Sequence, residues 1–301
     1  MTTQQGDAMW SVAIPSASEC GERPLWDDES GTVVWVDIPA GEIHRAVPGA
    51  SLPWDDTTFT VGSSVGVAVL RTGGGLVAAV DSAVVFLDRD GAVDADPVDV
   101  QLPTNTSFND GMCDPAGRFV VGTSSDPAGP PNGVLYSMGS DLDVRVLLTD
   151  IGESNGLDWS LDGKVMYYVD SFEPVVRRYS YDVATGDLGA RLSDLVVVEN
   201  AGQPDGLIVD DEGSIWMTLW DGAAVRRYSP SGELLLHLDA PVEKLTCPAF
   251  IGPDLTTFVV TSAWMDCTPE QLTAQPWAGH MLTAEVPGRG RLPFRFTRDA
   301  R

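Results

Sequence analysis

Four oxygen-bearing side chains stand at matching places along this chain of 301 residues. Glu22 lies nine residues before Gly31, Asn109 eight before Gly117, Asn155 eight before Gly163 and Asp205 eight before Gly213. Each glycine closes an acidic or polar turn between two apolar runs, so the four polar residues share one register of a recurring unit. Two carboxylates and two amide oxygens, with no Cys or His in that register, form a hard-donor set suited to Ca²⁺, Mg²⁺ or Mn²⁺ rather than to a thiolate zinc site. Brought together without a cation, the carboxylates would repel. A single Asn or Asp before Gly is an ordinary turn former. Four copies in one register, one of them a Glu, favour a metal site.

The unit that must position them recurs along the whole chain. It reads Leu25 to Trp35, Met112 to Val121, Leu157 to Tyr167 and Leu207 to Trp216, with weaker copies at Val67 to Ala79 and Phe250 to Val260. The turn markers Gly31, Gly74, Gly117, Gly163, Gly213 and Asp254 are 43, 43, 46, 50 and 41 residues apart. A period of about 40 to 50 residues, each holding about four short strands, is that of a β-propeller blade. Six copies predict an all-β, six-bladed propeller with a central metal site, formed by residues 1–301 as one domain with residues 1–12 a flexible N-terminal extension. Each blade begins with the strand nearest the axis, so residues just before that strand converge on one mouth of the channel. Gly156 and Gly206, directly after Asn155 and Asp205, would let the backbone approach the axis closely.

Composition narrows the partners. With 18 Lys and Arg against 44 Asp and Glu, the net charge of −26 disfavours nucleic acid and anionic lipid. No apolar run approaches a membrane span, and the first residues lack the pattern of a signal peptide, so the expected location is cytoplasmic. Cys20, Cys113, Cys247 and Cys267 include no CxxC pair and are expected to be reduced and mostly buried. The acidic stretch Asp94 to Asp99 reads as a solvated loop.

Several segments together resemble the SMP-30/gluconolactonase/luciferin-regenerating family. They are Glu22-Arg23-Pro24-Leu25-Trp26, Phe108-Asn109-Asp110-Gly111 with Asp114-Pro115-Ala116-Gly117-Arg118, Ser154-Asn155-Gly156-Leu157, Pro204-Asp205-Gly206-Leu207 and Cys247-Pro248-Ala249-Phe250. The resemblance implies a six-bladed propeller, one divalent cation at the channel mouth and lactone hydrolysis. It assigns Glu22, Asn155 and Asp205 as ligands, with Asn109 contacting substrate or its water. Ca²⁺ is the first choice of cation, with Mg²⁺, Mn²⁺, Zn²⁺ and Fe²⁺ as alternatives. Many sugar-lactone members carry Arg where this chain has Ser107, and the acidic residue often found in the next strand would fall near Asp126 or Pro127. The metal centre is kept while the substrate grip changes, which points to lactones less polar than gluconolactone. Trp220, with Trp264 and Met265, is a candidate apolar wall.

Other signals are weaker. Gly152-Glu153-Ser154-Asn155-Gly156 and Gly62-Ser63-Ser64-Val65-Gly66 both fit G-x-S-x-G, yet both run into strand-patterned segments rather than a helix. His44, His237 and His280 read as structural. Trp26, Trp35, Trp159 and Trp216 read as core. The expected activity is a metal-dependent lactonase acting on a small molecule, with Asp205 either general base toward the attacking water or purely a ligand. Two rivals remain: a metal-dependent enzyme on another electrophile, by phosphotriester hydrolysis or Lewis-acid cyclisation or isomerisation, and a non-catalytic cation-binding propeller. The oligomeric state is not legible.

Overall fold

Short β-branched and aromatic runs broken by glycine turns fold as hairpins, and in this chain the hairpins stack into blades. The computed structural model describes residues 4–6, 9–199 and 202–298. Blade one comprises Gly21–Asp27, Thr32–Asp37, Glu42–Ala46 and Asp56–Thr60, each antiparallel to the next. Blades two to five repeat this order, their innermost strands being Val65–Leu70, Thr106–Cys113, Ser154–Trp159 and Gln203–Val209. In blade six, Leu245–Ile251, Thr257–Ser262 and Met281–Ala284 are completed by Ser11–Ile14 from the other end of the chain. Innermost strands of successive blades pack side by side, and the sixth packs on the first, closing the ring. This is the six-bladed propeller that the repeat predicts.

Two expectations are corrected here. Ser11 and Val12 pair with Thr283 and Leu282, so the part of residues 1–12 nearest the domain is blade strand rather than flexible extension. Gln4–Gly6 also pairs, parallel to the outer strand of blade five, whereas residues 1–3 and 7–8 lie outside the described residues. Val93–Asp99 is not a loop but the outermost strand of blade two; its mostly exposed side chains explain the acidic composition. Among the described residues no helix is long and apolar enough to cross a membrane. All four cysteines are free, three of them buried.

Aromatic residues fill the wedges between blades. Trp35, Trp159 and Trp216 are almost completely buried, with Trp216 against Phe250 and Phe258. The channel end opposite the strand starts is strapped by the C-terminal segment. There Arg291 binds Asp158 at 3.0 Å, Arg295 binds Asp27 and Asp28 at 2.6 Å, and Phe296 is buried.

A recurrent irregularity aims the site. Five innermost strands place two residues opposite one on the neighbouring strand: Arg23-Pro24, Asn109-Asp110, Asn155-Gly156, Asp205-Gly206 and Thr246-Cys247. A bulge bends the strand and re-aims its side chain. The candidate residues are therefore within the innermost strands, not before them. Gly156 and Gly206 are needed for close approach: a Cβ on Gly156 would lie 2.5 Å from the Asp205 carbonyl oxygen, and one on Gly206 would lie 2.6 Å from the Cys247 Cα. Backbone cannot yield as a flexible side chain can. Gly156→Ala is expected to cost about 1 to 3 kcal/mol in urea unfolding, and an unchanged midpoint would show that the blades do not meet this closely.

Candidate metal centre at the channel mouth

The bulges bring the sequence candidates to one cavity of about 590 Å³. Glu22, Ser107, Asn109, Asn155, Asp205 and Trp220 all line it. Met265 lines it too, but Trp264 does not. The Trp264 indole instead donates to the Ala17 carbonyl at 3.0 Å, leaving the expected apolar wall to Trp220 and Met265. Neither Asp126 nor Pro127 reaches the cavity, and none of the three histidines lines it.

Strict counting separates Glu22 from its companions. The residue eight before Gly31 is Arg23, and it is Arg23 that occupies the bulge position held elsewhere by Asn109, Asn155 and Asp205. Arg23 adopts φ +44°, a left-handed conformation unusual outside glycine, and its side chain is fully buried. Its guanidinium grips Asp110 through Nε (2.6 Å) and Nη2 and reaches the Leu207 carbonyl at 3.3 Å. Burial works against that charge, but Asp110 outweighs it and holds Arg23 ionised. Glu22, one residue earlier, is left facing the cavity, its carboxylate accepting the Arg23 amide at 2.6 Å.

Charge bookkeeping then defines what the centre requires. Glu22 and Asp205 are only 3% and 4% exposed. Burial, followed by neighbouring Asp110, lifts the Glu22 carboxyl to about 8. Burial, followed by Glu22, lifts Asp205 well above the usual carboxylate range. Asp205 Oδ1 has no hydrogen-bond partner at all. Since Asp110 is answered by Arg23, two buried negative charges remain, the charge of one divalent cation. Isolated buried charges are very costly unless paired or used as metal ligands.

The amides complete the donor set. Asn155 Nδ2 donates to Ser171 Oγ at 2.9 Å, and that hydroxyl donates to the Pro204 carbonyl at 2.7 Å, which turns Asn155 Oδ1 away from Ser171. Asn109 Nδ2 donates to the Ser154 carbonyl at 2.9 Å and to Asn155 Oδ1 at 3.2 Å, linking the two blades. Among the described residues there is no group of three or more His, Cys, Asp and Glu that could hold a metal. A cation here would rest on Glu22 and Asp205 completed by the Asn155 amide oxygen. All of these are hard oxygen donors, and they fit the group.

Two further residues escaped the sequence reading. Arg23 was hidden by aligning Glu22 at nine residues when the other copies sit at eight. Glu153 lines the cavity, its carboxyl raised by burial and then by Asp170, with Ser124 opposing. It falls inside a rejected G-x-S-x-G match, so nothing else in the sequence marked it.

A six-bladed propeller with an acidic, oxygen-lined centre at one mouth defines the class. The chain belongs to the SMP-30/gluconolactonase/LRE-like family, whose sequence model matches residues 20–264. Human regucalcin is 35% identical over 297 residues, covering 94% of this chain and 96% of that one. The structure of a calcium-binding protein, regucalcin from Agrobacterium tumefaciens, superposes with a TM-score of 0.89 at 26% identity, covering 98% and 99% of the two chains. That of a luciferin-regenerating enzyme superposes with a TM-score of 0.84 at 29% identity, covering 96% and 99%.

The raised Glu22 carboxyl sets a pH dependence for the metal-free protein. A carboxyl whose folded pKa exceeds its unfolded value binds extra protons when folded, so its stabilising effect is full below the unfolded pKa and is lost as pH rises toward about 8. The melting temperature in chelator should therefore fall between about pH 5 and about pH 8, while the shift produced by millimolar Ca²⁺ should grow over the same interval. A Ca²⁺ shift that is absent, or equal at both ends, would contradict the charge account.

Proposed function

We propose that this protein is a divalent-cation-dependent lactonase, with Ca²⁺ the first candidate cation and Glu22, Asn155 and Asp205 its ligands. The observation that carries the reading is the pair of buried carboxylates left unanswered once Arg23 is paired with Asp110. The calcium-binding description of the Agrobacterium regucalcin supports Ca²⁺, and the gluconolactonase name within the family supports ring opening. The cavity volume suits a small molecule.

When bound, the cation would polarise the lactone carbonyl and stabilise negative charge developing on its oxygen. In this reading Asp205, besides ligating the cation, accepts a proton from the attacking water. Water oxygen bonds to the carbonyl carbon, the ring C–O bond breaks, and the departing ring oxygen takes a proton to give the hydroxy acid. Asn109 holds Asn155 Oδ1 and lines the same wall, where it can orient substrate. Trp220 offers an apolar surface, its ring fixed by the Lys244 ammonium 4.2 Å from the ring centroid.

A lactone panel assayed with and without chelator tests this reading, with a phosphotriester included as the rival electrophile. Chelation should abolish lactone turnover. Asp205→Asn should lower kcat by about 10² to 10⁴ if Asp205 is the base, and metal analysis of the same variant separates roles: retained metal marks a base, lost metal marks an essential ligand. Turnover of the phosphotriester but of no lactone would overturn the assignment.

A further inference from the structure

We infer that the cavity selects its lactone by charge, accepting uncharged or ammonium-bearing substrates and rejecting those that carry a phosphate or carboxylate away from the ring carbonyl. This rests on the lactonase reading and goes beyond it by naming the residues that choose.

Ser107 pairs directly opposite Ser124 in blade three, and Ser124 in turn bridges to Glu153 at the entry to blade four. The three form a continuous row, and all line the cavity. Glu153 is held at both ends of its peptide unit: its amide donates to Asp170 Oδ1 at 2.9 Å, and its carbonyl accepts the Ser171 amide at 2.9 Å. Asp170 is itself paired with the buried Arg177 at 3.2 Å. The carboxylate is thus carried on a fixed backbone.

Among the described residues no Lys, Arg or His lines this cavity. The buried cations nearby are committed elsewhere, Arg23 to Asp110 and Lys244 to Asp221 at 2.7 Å. Four carboxylates face the space: Glu22, Asp205, Glu153 and, at the rim, Asp266. A divalent cation would answer the first two, leaving Glu153 and Asp266 with no basic residue on the cavity wall among the described residues. Asp205 Oδ1, buried and unpartnered, is an atom that a cation would take, with the lactone carbonyl beside it. The row of Ser107, Ser124 and Glu153 is then open to the rest of the substrate. Hydroxyl and ammonium groups can donate to that row, whereas an anionic group meets an uncompensated carboxylate and no counter-charge.

The test compares the metal-loaded protein on gluconolactone, its aminodeoxy analogue and its phosphorylated analogue. The expected order of kcat/KM is aminated, neutral, phosphorylated, with the extremes about 100-fold apart at low salt and closer at high salt. Glu153→Gln should narrow the aminated-to-phosphorylated ratio about tenfold, and Asp266→Asn should narrow it less. Equal rates on the charged pair, or an unaltered ratio in a folded Glu153→Gln protein, would overturn the inference. Calorimetric binding of the corresponding non-hydrolysable alditols separates this from the lactonase reading. If no lactone turns over, the same affinity order still supports charge selection, and equal affinities refute it.

Discussion

Glu22 and Asp205 are carried to one end of the channel by different blades and buried there with amide and hydroxyl groups for company. The buried guanidinium beside them, that of Arg23, is engaged by Asp110. Burial raises the cost of ionising both, reinforced by Asp110 at Glu22 and by Glu22 at Asp205, which is why both are displaced upward from the usual range. Everything around the mouth is consistent with holding such a centre in place: bulges that turn the donors inward, glycines that let neighbouring strands close up, and an amide chain that fixes Asn155. A cation ligated across blades one, four and five would also tie distant parts of the sequence together.

The cost of this arrangement is visible in Arg23. A non-glycine residue with positive φ and a fully buried guanidinium is unfavourable on both counts. It persists because Asp110 and the Leu207 carbonyl satisfy it from blades three and five. Arg23 also cancels a third carboxylate that would otherwise leave the channel overcharged for one divalent ion. Farther out, Glu153 lines the cavity with no basic residue beside it on that wall among the described residues.

Architecture was highly legible because a propeller writes itself into the sequence as a period: six turn markers at near-constant spacing left little choice of fold. The register of these cavity-lining residues was legible for the same reason, and Asn109, Asn155 and Asp205 share one bulge position, inside the innermost strands rather than before them. Glu22 was found, but the one-residue offset concealed that Arg23 owned the structural position. Features that depend on contacts between blades were not legible. Glu153 reaches the cavity through a bridge to Ser124 in another blade, and Trp264 is withdrawn from it by a hydrogen bond to Ala17, some 247 residues away in sequence. The N-terminal strand was missed because its partner, Met281–Ala284, lies at the opposite end of the chain.

The central claim is that Glu22, Asn155 and Asp205 together hold one divalent cation. Crystals of the protein soaked in Mn²⁺ and measured at the manganese absorption edge address it without relying on activity. The account predicts a single strong anomalous peak at the channel mouth, about 2.0 to 2.6 Å from a carboxylate oxygen of Glu22, a carboxylate oxygen of Asp205 and the amide oxygen of Asn155. An empty mouth under saturating Mn²⁺, or a peak bound by other residues, would contradict it.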